Sequence, residues 1–525
     1  MRPIAVVVAG ALLAVTVIVG ALAAPARAQA VDETCALALT KLDQGTTNVL
    51  YPDDSARYYI GAFAAVPGTE IRLVGRFPRA RYASYNVYDA ALRPVDALAD
   101  AELLPDAGSS NPFLPGADRT ATARGYTARI SFAAPPSLRE PNTMYAAGGS
   151  SGVPNPTGVF AYRIYIPDDG QDEYGGVGLP TAAVVQAGSG APVPPSVCAQ
   201  VRKPELTAIN DQLAQVPSVP TAEPSATATG RNPPHWRKFV NVASSVGQAF
   251  TDNPAFNGAG QAQLDTLGGS GGFLSNRHNA YLSALLNRGF GQVLVTRLRV
   301  PAFPDTRHGA AVMPAGQVRY WSLCQNDPLT ERVVACLNDD RVVAGPDGFA
   351  TFVVSTPNER PANATTRCGV NWLPWGPDVR GALIYRNMLP AASFAAAIQR
   401  AEPDVEPQTM GDGFPVSAYY ADAGAFDALP CARAATPAAV APAAPSGAVS
   451  SSPDAAPACS SHRRFTLRLP RGTRSVTIDG RRQPFRGRQV VIDLRGRPRS
   501  PVVVRIHRPH GATIVHRYRV CVRRR

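Results

Sequence analysis

The chain has 525 residues and a formal net charge of +13, with 50 prolines, 45 glycines and 17% charged residues. This length allows two or three domains, and the frequent proline and glycine argue against an all-helical protein. Eight cysteines occur without any C-x-x-C pair, which argues against a zinc ribbon and against thioredoxin-like redox chemistry.

The N-terminal segment has the pattern of an export signal. Arg2 precedes an uncharged apolar run from Ile4 to Ala24, and Ala26-Arg27-Ala28 fits the small-residue rule for cleavage. The sequence therefore predicts a signal peptide over residues 1–30. It also predicts a secreted or cell-envelope-associated protein with no transmembrane segment after cleavage. A retained N-terminal membrane anchor is the alternative, because the apolar run is nearly long enough to span a bilayer.

An even number of cysteines in an exported chain indicates disulfide bonds. Pairing the cysteines by neighbour order puts each bond inside one module of the chain. The four predicted bonds are Cys35–Cys198, Cys324–Cys336, Cys368–Cys431 and Cys459–Cys521.

Six short segments occur twice in the same order, which predicts two diverged copies of one domain. The first copy reads RYYIGAF, EIRLVGRFP, RYASYNVYD, PVDALADAEL, YTARISF and VFAYRIYIP, and the second reads AYLSALL, VTRLRVPAFP, RYWSLCQND, RVVACLNDDRV, FATFVVSTP and GALIYRNMLP. Most segments alternate apolar with polar or small residues between Pro, Gly, Asn and Asp, as half-buried antiparallel strands do. The first segment of each copy instead predicts a short helix.

These patterns predict a mainly β protein with few helices, built from two β-sandwiches of about eight strands each and a third, smaller sandwich. Changes in amino-acid composition along the chain predict how the part after the signal is divided into modules. It comprises a first copy (31–205), a linker with a small helical segment (206–274), a second copy (275–433), an Ala/Pro/Ser linker (434–458) and a basic module (459–525).

Three segments of the second copy carry a resemblance to other proteins. They are RYWSLCQND at Arg319, NWLPWGP at Asn371 and IYRNMLP at Ile384. They resemble domains of unknown function in bacterial envelope and secreted proteins, which have a Tyr-Trp-Ser-Leu strand and an Asn-Trp-Leu-Pro turn. The resemblance covers residues 276–388 and, more faintly, residues 51–185. It implies a jelly-roll-like fold for both copies and no established activity.

Aromatic side chains near those motifs are candidate ligand-binding residues. They are Tyr320, Trp321, Trp372 and Trp375. Exposed tryptophan and tyrosine rings can stack on sugar rings. The competing interpretation is that these rings pack the core and anchor a turn, as Trp mostly does.

No pattern identifies a catalytic residue, a metal site or a cofactor. Two Gly-x-Ser-x-Gly sequences, at residues 148–152 and 268–272, lie in Gly/Ser-rich loops without the strand and helix of a nucleophile elbow. The acidic run at residues 168–173 could hold calcium but is more typical of a solvated turn. The repeated acidic set could serve glycoside hydrolysis or only solvate loops, and it comprises Asp96, Asp100, Glu102, Asp339 and Asp340. The histidines His235, His278 and His308 have no ligand spacing.

The positive charge is concentrated at the C-terminus. Residues 461–525 contain 19 arginines, no lysine and two aspartates, a net charge of +17, so the rest of the chain carries −4. Five short alternating strands and an Asp-Gly turn there predict a small Ig-like or fibronectin-like sandwich. The arginines expected to bind an anionic partner are Arg464, Arg468, Arg481, Arg482, Arg505, Arg517 and Arg519.

Three explanations of that charge compete. The module could bind anionic envelope polymers or lipid headgroups, it could bind nucleic acid, or its arginines could only solvate a surface. Nucleic acid is disfavoured because there is no recognition helix and there are few aromatic residues for base stacking. The sequence therefore predicts a noncatalytic binding or structural protein of the envelope with an unknown ligand. A hydrolase of envelope glycans or esters, with a cleft between the two sandwiches, is the alternative.

Overall fold

The computed structural model describes residues 35–42, 48–90, 92–147, 155–202, 230–249, 265, 270–312, 316–328, 330–429, 431, 458–460, 464–469, 473–478, 481–486, 489–493, 502–507 and 514–520. The predicted signal peptide and most of both predicted linkers lie outside these residues. The chain forms two compact units, residues 1–443 and 444–525.

The first copy contributes ten strands to the first unit. They are β1 (Ala36–Leu37), β2 (Thr40–Leu42), β3 (Ala56–Ala64), β4 (Thr69–Arg76), β5 (Ala80–Asp89), β6 (Pro94–Ala99), β7 (Gly125–Ser131), β8 (Thr143–Tyr145), β9 (Thr157–Pro167) and β10 (Thr181–Gln186). One sheet has the order β2-β3-β9-β5-β6 and the other β1-β10-β4-β7-β8. A short helix, α1 (Pro195–Val201), follows the last of these strands.

The second copy repeats this arrangement. Its strands are β11 (Arg237–Lys238), β12 (Asn279–Asn287), β13 (Val293–Arg299), β14 (Val318–Asn326), β15 (Val333–Asn338), β16 (Phe349–Ser355), β17 (Val370–Pro374), β18 (Arg380–Pro390) and β19 (Val416–Tyr420). The sheet orders are β11-β12-β18-β14-β15 and β17-β16-β13-β19. Its helices are α2 (Val242–Ala249), α3 (Glu406–Met410) and α4 (Ala423–Asp427).

The two copies share one topology. Strand for strand, β3-β9-β5-β6 corresponds to β12-β18-β14-β15, and the only parallel pair of each copy joins matching strands, β7 with β8 and β16 with β17, within the described residues. The internal repeat predicted from six short segments is therefore a repeat of the whole jelly-roll-like sandwich. The two sheets of each copy pack face to face over one apolar core, which in the first copy joins Ile71 and Ile130 of one sheet to Tyr85 and Phe160 of the other.

The first segment of each copy is a strand, so the predicted short helices there are wrong. In β12 the side chains of Ala280, Leu282, Ala284 and Leu286 are buried and alternate with partly buried neighbours. That two-residue period suits a pleated sheet, where alternate side chains share a face. Pairing of all nine residues of β12 with β18 outweighs the helix propensity of alanine and leucine.

The sheets β2-β3-β9-β5-β6 and β11-β12-β18-β14-β15 are the inner sheets of the two copies, and the other sheet of each copy is its outer sheet. Two matching glycines mark close approaches inside the inner sheets. A Cβ atom at Gly158 of β9 would overlap the backbone carbonyl oxygen of Tyr88. At Gly381, the corresponding residue of β18, it would overlap the side-chain Nε2 of Gln325. The two positions therefore differ in whether the obstructing atom can move.

Three of the four predicted disulfide bonds are confirmed: Cys35–Cys198, Cys324–Cys336 and Cys368–Cys431. Cys324 and Cys336 are direct partners on β14 and β15. The corresponding pair in the first copy is Asn86 and Ala97. The predicted Cys459–Cys521 bond lies outside the described side chains.

Within the described residues, no helix is both long and apolar enough to cross a bilayer. The helical segment predicted after the first linker is present as α2, although Arg237 and Lys238 before it extend the second copy's sheet as β11.

The second unit is a small β-sandwich. Its strands are β20 (Ala458–Ser460), β21 (Arg464–Arg468), β22 (Ser475–Ile478), β23 (Arg481–Gln483), β24 (Gln489–Asp493), β25 (Val502–His507) and β26 (Ile514–Val520). A five-stranded sheet, β20-β26-β25-β22-β23, and the β21-β24 pair enclose a core that includes Val476, Ile492 and Val504. In β24 buried Val490 and Ile492 alternate with exposed residues, as the alternating sequence predicts.

Candidate functional site

The inner sheets of the two copies meet along a buried seam that is held by arginine–aspartate pairs. Arg81 of β5 pairs with Asp339 and Asp340 of the second copy. Arg319 of β14 donates to Asp100 of the first copy over 2.8 Å. Arg81 and Arg319 correspond by strand register, and Asp100 and Asp339 both follow the last strand of their inner sheet. Each copy therefore supplies the arginine for one pair and the aspartate for the other.

The backbone holds each aspartate in the same way. Asp100 accepts a hydrogen bond from the backbone N–H of Ala83 (2.7 Å), and Asp339 accepts one from the backbone N–H of Trp321 (3.1 Å). The two aspartates begin matching 3₁₀ turns, Asp100–Glu102 and Asp339–Arg341. Burial raises the pKa of Asp339 to about 7, and the Arg81 guanidinium opposes that shift.

Each copy also extends an arm onto the other. The first arm, residues 48–55, lies on β15 and the loop before it, where Tyr51 N–H donates to the Glu331 carbonyl (2.7 Å) and Asn48 exchanges two hydrogen bonds with the backbone of Val333. The second arm, residues 271–278, lies on the edge of the first copy, where Leu274 N–H donates to the Leu92 carbonyl (3.2 Å). The contacts across the seam are therefore exchanged in both directions.

A second pair of arginines, buried in the inner sheets, donates hydrogen bonds to the backbone of the two arms. Arg163 of β9 donates to the carbonyl of Leu274 (2.6 Å), and Arg386 of β18 donates to the carbonyl of Tyr51 (2.7 Å). Tyr51 and Leu274 both adopt a left-handed backbone conformation, with φ of 52° and 51°. These matching angles turn each carbonyl toward the buried arginine of the opposite copy's inner sheet.

Two buried phenols complete the seam. Tyr320 donates to Asp53 of the first arm (2.8 Å), while Tyr82 contacts Asn276 and His278 of the second arm (3.2 and 2.7 Å). Burial raises the pKa of both phenols well above the ordinary value, so they remain neutral hydrogen-bonding groups. The seam is thus a continuous polar and aromatic layer.

One cavity of about 450 Å³ opens beside this layer. It lies between the edge of the first copy at Val95, the second arm at Arg277, and Lys238 and Asn279 of the second copy. The Lys238 ammonium already donates to the carbonyls of Gln399 and Ala401, and burial lowers its pKa. The cavity can admit a small polar molecule, but its walls hold no pair of carboxylates among the described residues.

Three of the four aromatic candidates for ligand binding are buried. Tyr320, Trp321 and Trp375 expose 0%, 1% and 1% of their surface, so they cannot offer a stacking face to a sugar. Trp372 is partly buried, donates to the Ser355 hydroxyl (3.0 Å) and lies under the Arg360 guanidinium. Core packing, the first part of the competing interpretation, fits these positions. The predicted Asn-Trp-Leu-Pro turn is wrong, because these four residues belong to strand β17 and pair with β16.

The predicted acidic candidates are all engaged by neighbouring groups. In the repeated set Asp96 pairs with Arg139, and Glu102 lies 3.3 Å from the Nε2 atom of His278. The hydrogen bond from His278 lowers the pKa of Glu102. These side chains therefore serve the seam and its edges, and they form no open pair of carboxylates.

The acidic run at residues 168–173 is likewise held in ion pairs and turns. Asp168 pairs with Arg119 over 2.6 Å, and Asp172 accepts hydrogen bonds from two backbone N–H groups of its own turn. In the described residues the only group of potential metal ligands joins Asp53 to Cys324 and Cys336, whose sulfur atoms are bonded to each other. The structure therefore supplies no calcium cage there.

The first Gly-x-Ser-x-Gly sequence, residues 148–152, lies outside the described residues. Of the second, the described residues Ser270, Gly271 and Gly272 belong to no helix and to none of the named strands, so they do not form the strand–Ser–helix turn of a nucleophile elbow. His235 precedes β11, His278 lies in the seam and His308 lies beside Asp305.

In the basic module the side chains of Arg464, Arg481 and Arg482 are exposed. The side chains of the other four predicted anion-binding arginines lie outside the described part of the structure. They are Arg468, Arg505, Arg517 and Arg519.

The arginine–aspartate pairs of the seam were not identified as a site from the sequence. A signal was present, because both third segments begin Arg-Tyr and both fourth segments contain an aspartate at a matching position, Asp100 and Asp339. Repeated charged residues of opposite sign at matching positions could have indicated an exchanged pair.

No family model matches the chain, and comparison with curated proteins finds no match. Among solved structures, it is similar to an uncharacterised protein from Burkholderia cenocepacia, with 12% identity over 69% of this chain and 80% of that one and a TM-score of 0.39. A protein from Vibrio parahaemolyticus has 12% identity over 67% of this chain and 89% of that one, with a TM-score of 0.32.

Proposed function

We propose that this protein is a secreted or envelope-associated, noncatalytic binding and structural protein, and that its basic module attaches it to an anionic envelope polymer. One observation carries the proposal. A charge of +17 is confined to residues 461–525, where Arg464, Arg481 and Arg482 are exposed on a small sandwich with its own apolar core.

The physical basis is summed electrostatic attraction to a chain of like charges. Guanidinium groups bind phosphate and carboxylate oxygens with two parallel hydrogen bonds, and closely spaced cations reinforce one another. Such binding weakens as salt rises, because the screening length falls from about 30 Å at 0.01 M to about 8 Å at 0.15 M. Binding to the polymer should therefore be strong at low ionic strength and should fall steeply with salt.

The body of the protein supports binding over the hydrolase alternative. A glycoside hydrolase needs two carboxyl groups facing a substrate cleft, about 5 to 10 Å apart. Asp100, Asp339 and Asp340 instead face arginines inside the seam, where no substrate can reach them. Among the described residues, the cavity between the edge of the first copy and the second copy has no pair of carboxylates in its walls.

The test compares two variants that remove the same charge from different units. Arg464, Arg481 and Arg482 are changed to glutamate in one variant, and three exposed body arginines, Arg72, Arg76 and Arg367, are changed to glutamate in the other. Binding to long-chain inorganic polyphosphate is measured at low and at high salt. We expect the module variant to bind at least about ten-fold more weakly than the body variant at low salt, with a shallower salt dependence.

Equal weakening by the two variants would instead indicate general charge attraction and would overturn the anchor. A protein ending at Ala443 should lose polyphosphate binding altogether. Tighter binding to equimolar phosphatidylglycerol–phosphatidylcholine vesicles than to polyphosphate would replace the polymer with lipid headgroups as the partner.

A further inference from the structure

The contacts across the seam occur twice, with the roles of the two copies exchanged. Arg81 of the first copy meets Asp339 of the second, and Arg319 of the second meets Asp100 of the first. The same exchange holds for the arms, because Arg163 binds the second arm and Arg386 binds the first. Such reciprocity defines an isologous interface, in which residue i contacts residue j and residue j contacts residue i.

We propose that the seam is a dimer interface closed within one chain, and that the partner it fits is a second copy of this chain. Each half carries both members of the charge pair, Arg81 with Asp100 in the first and Arg319 with Asp339 in the second. A half from one chain can therefore replace the matching half of another. The halves are the first half, residues 35–202, and the second half, residues 230–431.

The covalent structure permits this exchange. Cys35–Cys198 closes within the first half, and Cys324–Cys336 and Cys368–Cys431 close within the second. No disulfide among the described residues joins the halves, so only the peptide chain between residues 202 and 230 connects them. Cleavage of that connection leaves noncovalent contacts between the described residues of the two halves, those of the seam and the Arg307–Asp169 ion pair among them.

Divergence between the copies decides which halves pair. Arg81 meets two carboxylates, Asp339 and Asp340, whereas the first copy has Ala101 at the position of Asp340. The contact between Arg81 and Asp340 is therefore lost when two first halves pair, so a first half prefers a second half over another first half.

The experiment places a specific protease cleavage sequence between residues 202 and 230 of the full chain. The folded protein is cleaved and passed over a size-exclusion column at micromolar concentration. Cleaved protein of natural isotope content is then mixed with cleaved protein grown in heavy isotopes, and native mass spectrometry follows the masses of the pairs. We expect the halves to elute together and mixed light–heavy pairs of unlike halves to accumulate.

A matched pair of variants tests whether the charge pairs hold the seam. Arg319→Met removes a seam arginine, and Arg72→Met removes an exposed arginine of β4, which belongs to the outer sheet. We expect Arg319→Met to raise the dissociation constant of the cleaved halves by about 100-fold or more, and Arg72→Met to change it by less than about three-fold.

Three results would overturn the proposal. The first is that cleaved wild-type halves separate at micromolar concentration. The second is that the halves stay together but never form mixed pairs, even after a cycle of partial unfolding in urea. The third is equal dissociation of the two methionine variants. If Arg319→Met does not fold, the isotope exchange of the wild-type halves still decides the question.

Discussion

Replacing Arg319 with methionine should destabilise the first unit mainly by leaving the Asp100 carboxylate without its cation. Arg319 and Asp100 expose 2% and 1% of their surface, and 2.8 Å separates the Nη1 and Oδ1 atoms. Methionine roughly conserves the apolar stem and removes the charge. The aspartate then retains the backbone N–H of Ala83, 2.7 Å from its other oxygen, as its remaining described hydrogen-bond donor.

The expected loss of unfolding free energy at pH 7 is about 3 to 4 kcal/mol. Removing one partner of a buried ion pair costs about 3 to 5 kcal/mol, because the other charge stays buried. The cost of protonating the unpaired carboxylate sets an upper limit on this loss of unfolding free energy. Holding a carboxyl of ordinary pKa near 3.9 protonated at pH 7 costs about 1.4 kcal/mol per pH unit, or about 4 kcal/mol.

The loss of unfolding free energy in Arg319→Met should be smaller at acidic pH than at neutral pH. A buried carboxylate that has lost its cation is destabilised relative to its neutral form. The loss of stability in the variant should therefore shrink as the pH falls toward about 4. Asp100→Asn combined with Arg319→Met removes the unpaired charge and should recover at least about 1 kcal/mol relative to Arg319→Met alone.

Urea unfolding followed by tryptophan fluorescence measures these losses, because all four tryptophans lie in the first unit: Trp236, Trp321, Trp372 and Trp375. Parallel curves at pH 7.5 and pH 5 for wild type, the two single variants and the double variant complete the cycle. A loss below about 1 kcal/mol at pH 7.5, or one that does not change between the two pH values, would refute the role assigned to the pair.

Other predictions address the arms, the close approaches and the covalent links. Burial raises the pKa of Glu331 to about 7, above its unfolded value near 4.5, so wild-type stability should fall as the pH rises from about 4.5 to 7. Between pH 5 and pH 8 the free energy of unfolding, measured in urea, should fall by about 1 to 3 kcal/mol less in Glu331→Gln than in wild type. An unchanged pH profile in the variant would contradict this prediction. Gly158→Ala should lower the free energy of unfolding by at least about 1 kcal/mol more than Gly381→Ala, because a backbone carbonyl cannot move aside as an amide side chain can. The melting temperatures of the two variants should differ in the same direction. Equal losses would show that the strand itself shifts. Replacing Cys35 and Cys198 with alanine should cost about 4 to 5 kcal/mol of unfolding free energy, since the bond joins cysteines 163 residues apart, and a loss under about 1 kcal/mol would argue against the loop-entropy origin.

The fold was predictable where one local pattern suffices. Alternation in YTARISF places Tyr126, Ala128 and Ile130 on the buried face of β7, and neighbour order paired three cysteine couples correctly. Local patterns failed at β12, whose alanine and leucine content favours a helix in isolation but whose partner strand, β18, is distant in the sequence. A short stretch of sequence contains no information about a partner strand that is so distant along the chain.

The seam was not predictable for a related reason. Its charge pairs join residues that are very distant in the sequence, and each arginine and aspartate taken alone is typical of a solvated loop. Burial of Trp321 and Trp375 was also undetermined, because the same tryptophan motif suits a core or an exposed face. The charge pairs depend on how one copy packs against the other, whereas both tryptophans are buried in the second copy's own core.

The exchanged arms also constrain the order in which the chain can fold. When the first copy has been synthesised, its inner sheet still presents the charged side chains of Arg81 and Asp100 and has no second arm along its edge. The polar layer can desolvate only when the second copy supplies its own aspartate and arginine. The last steps of folding therefore wait until most of the second copy has been synthesised. In a chain truncated between the copies, the charged side chains of this sheet would stay exposed to water. Nascent-chain proteolysis would then show one late, concerted gain of protection in both sandwiches.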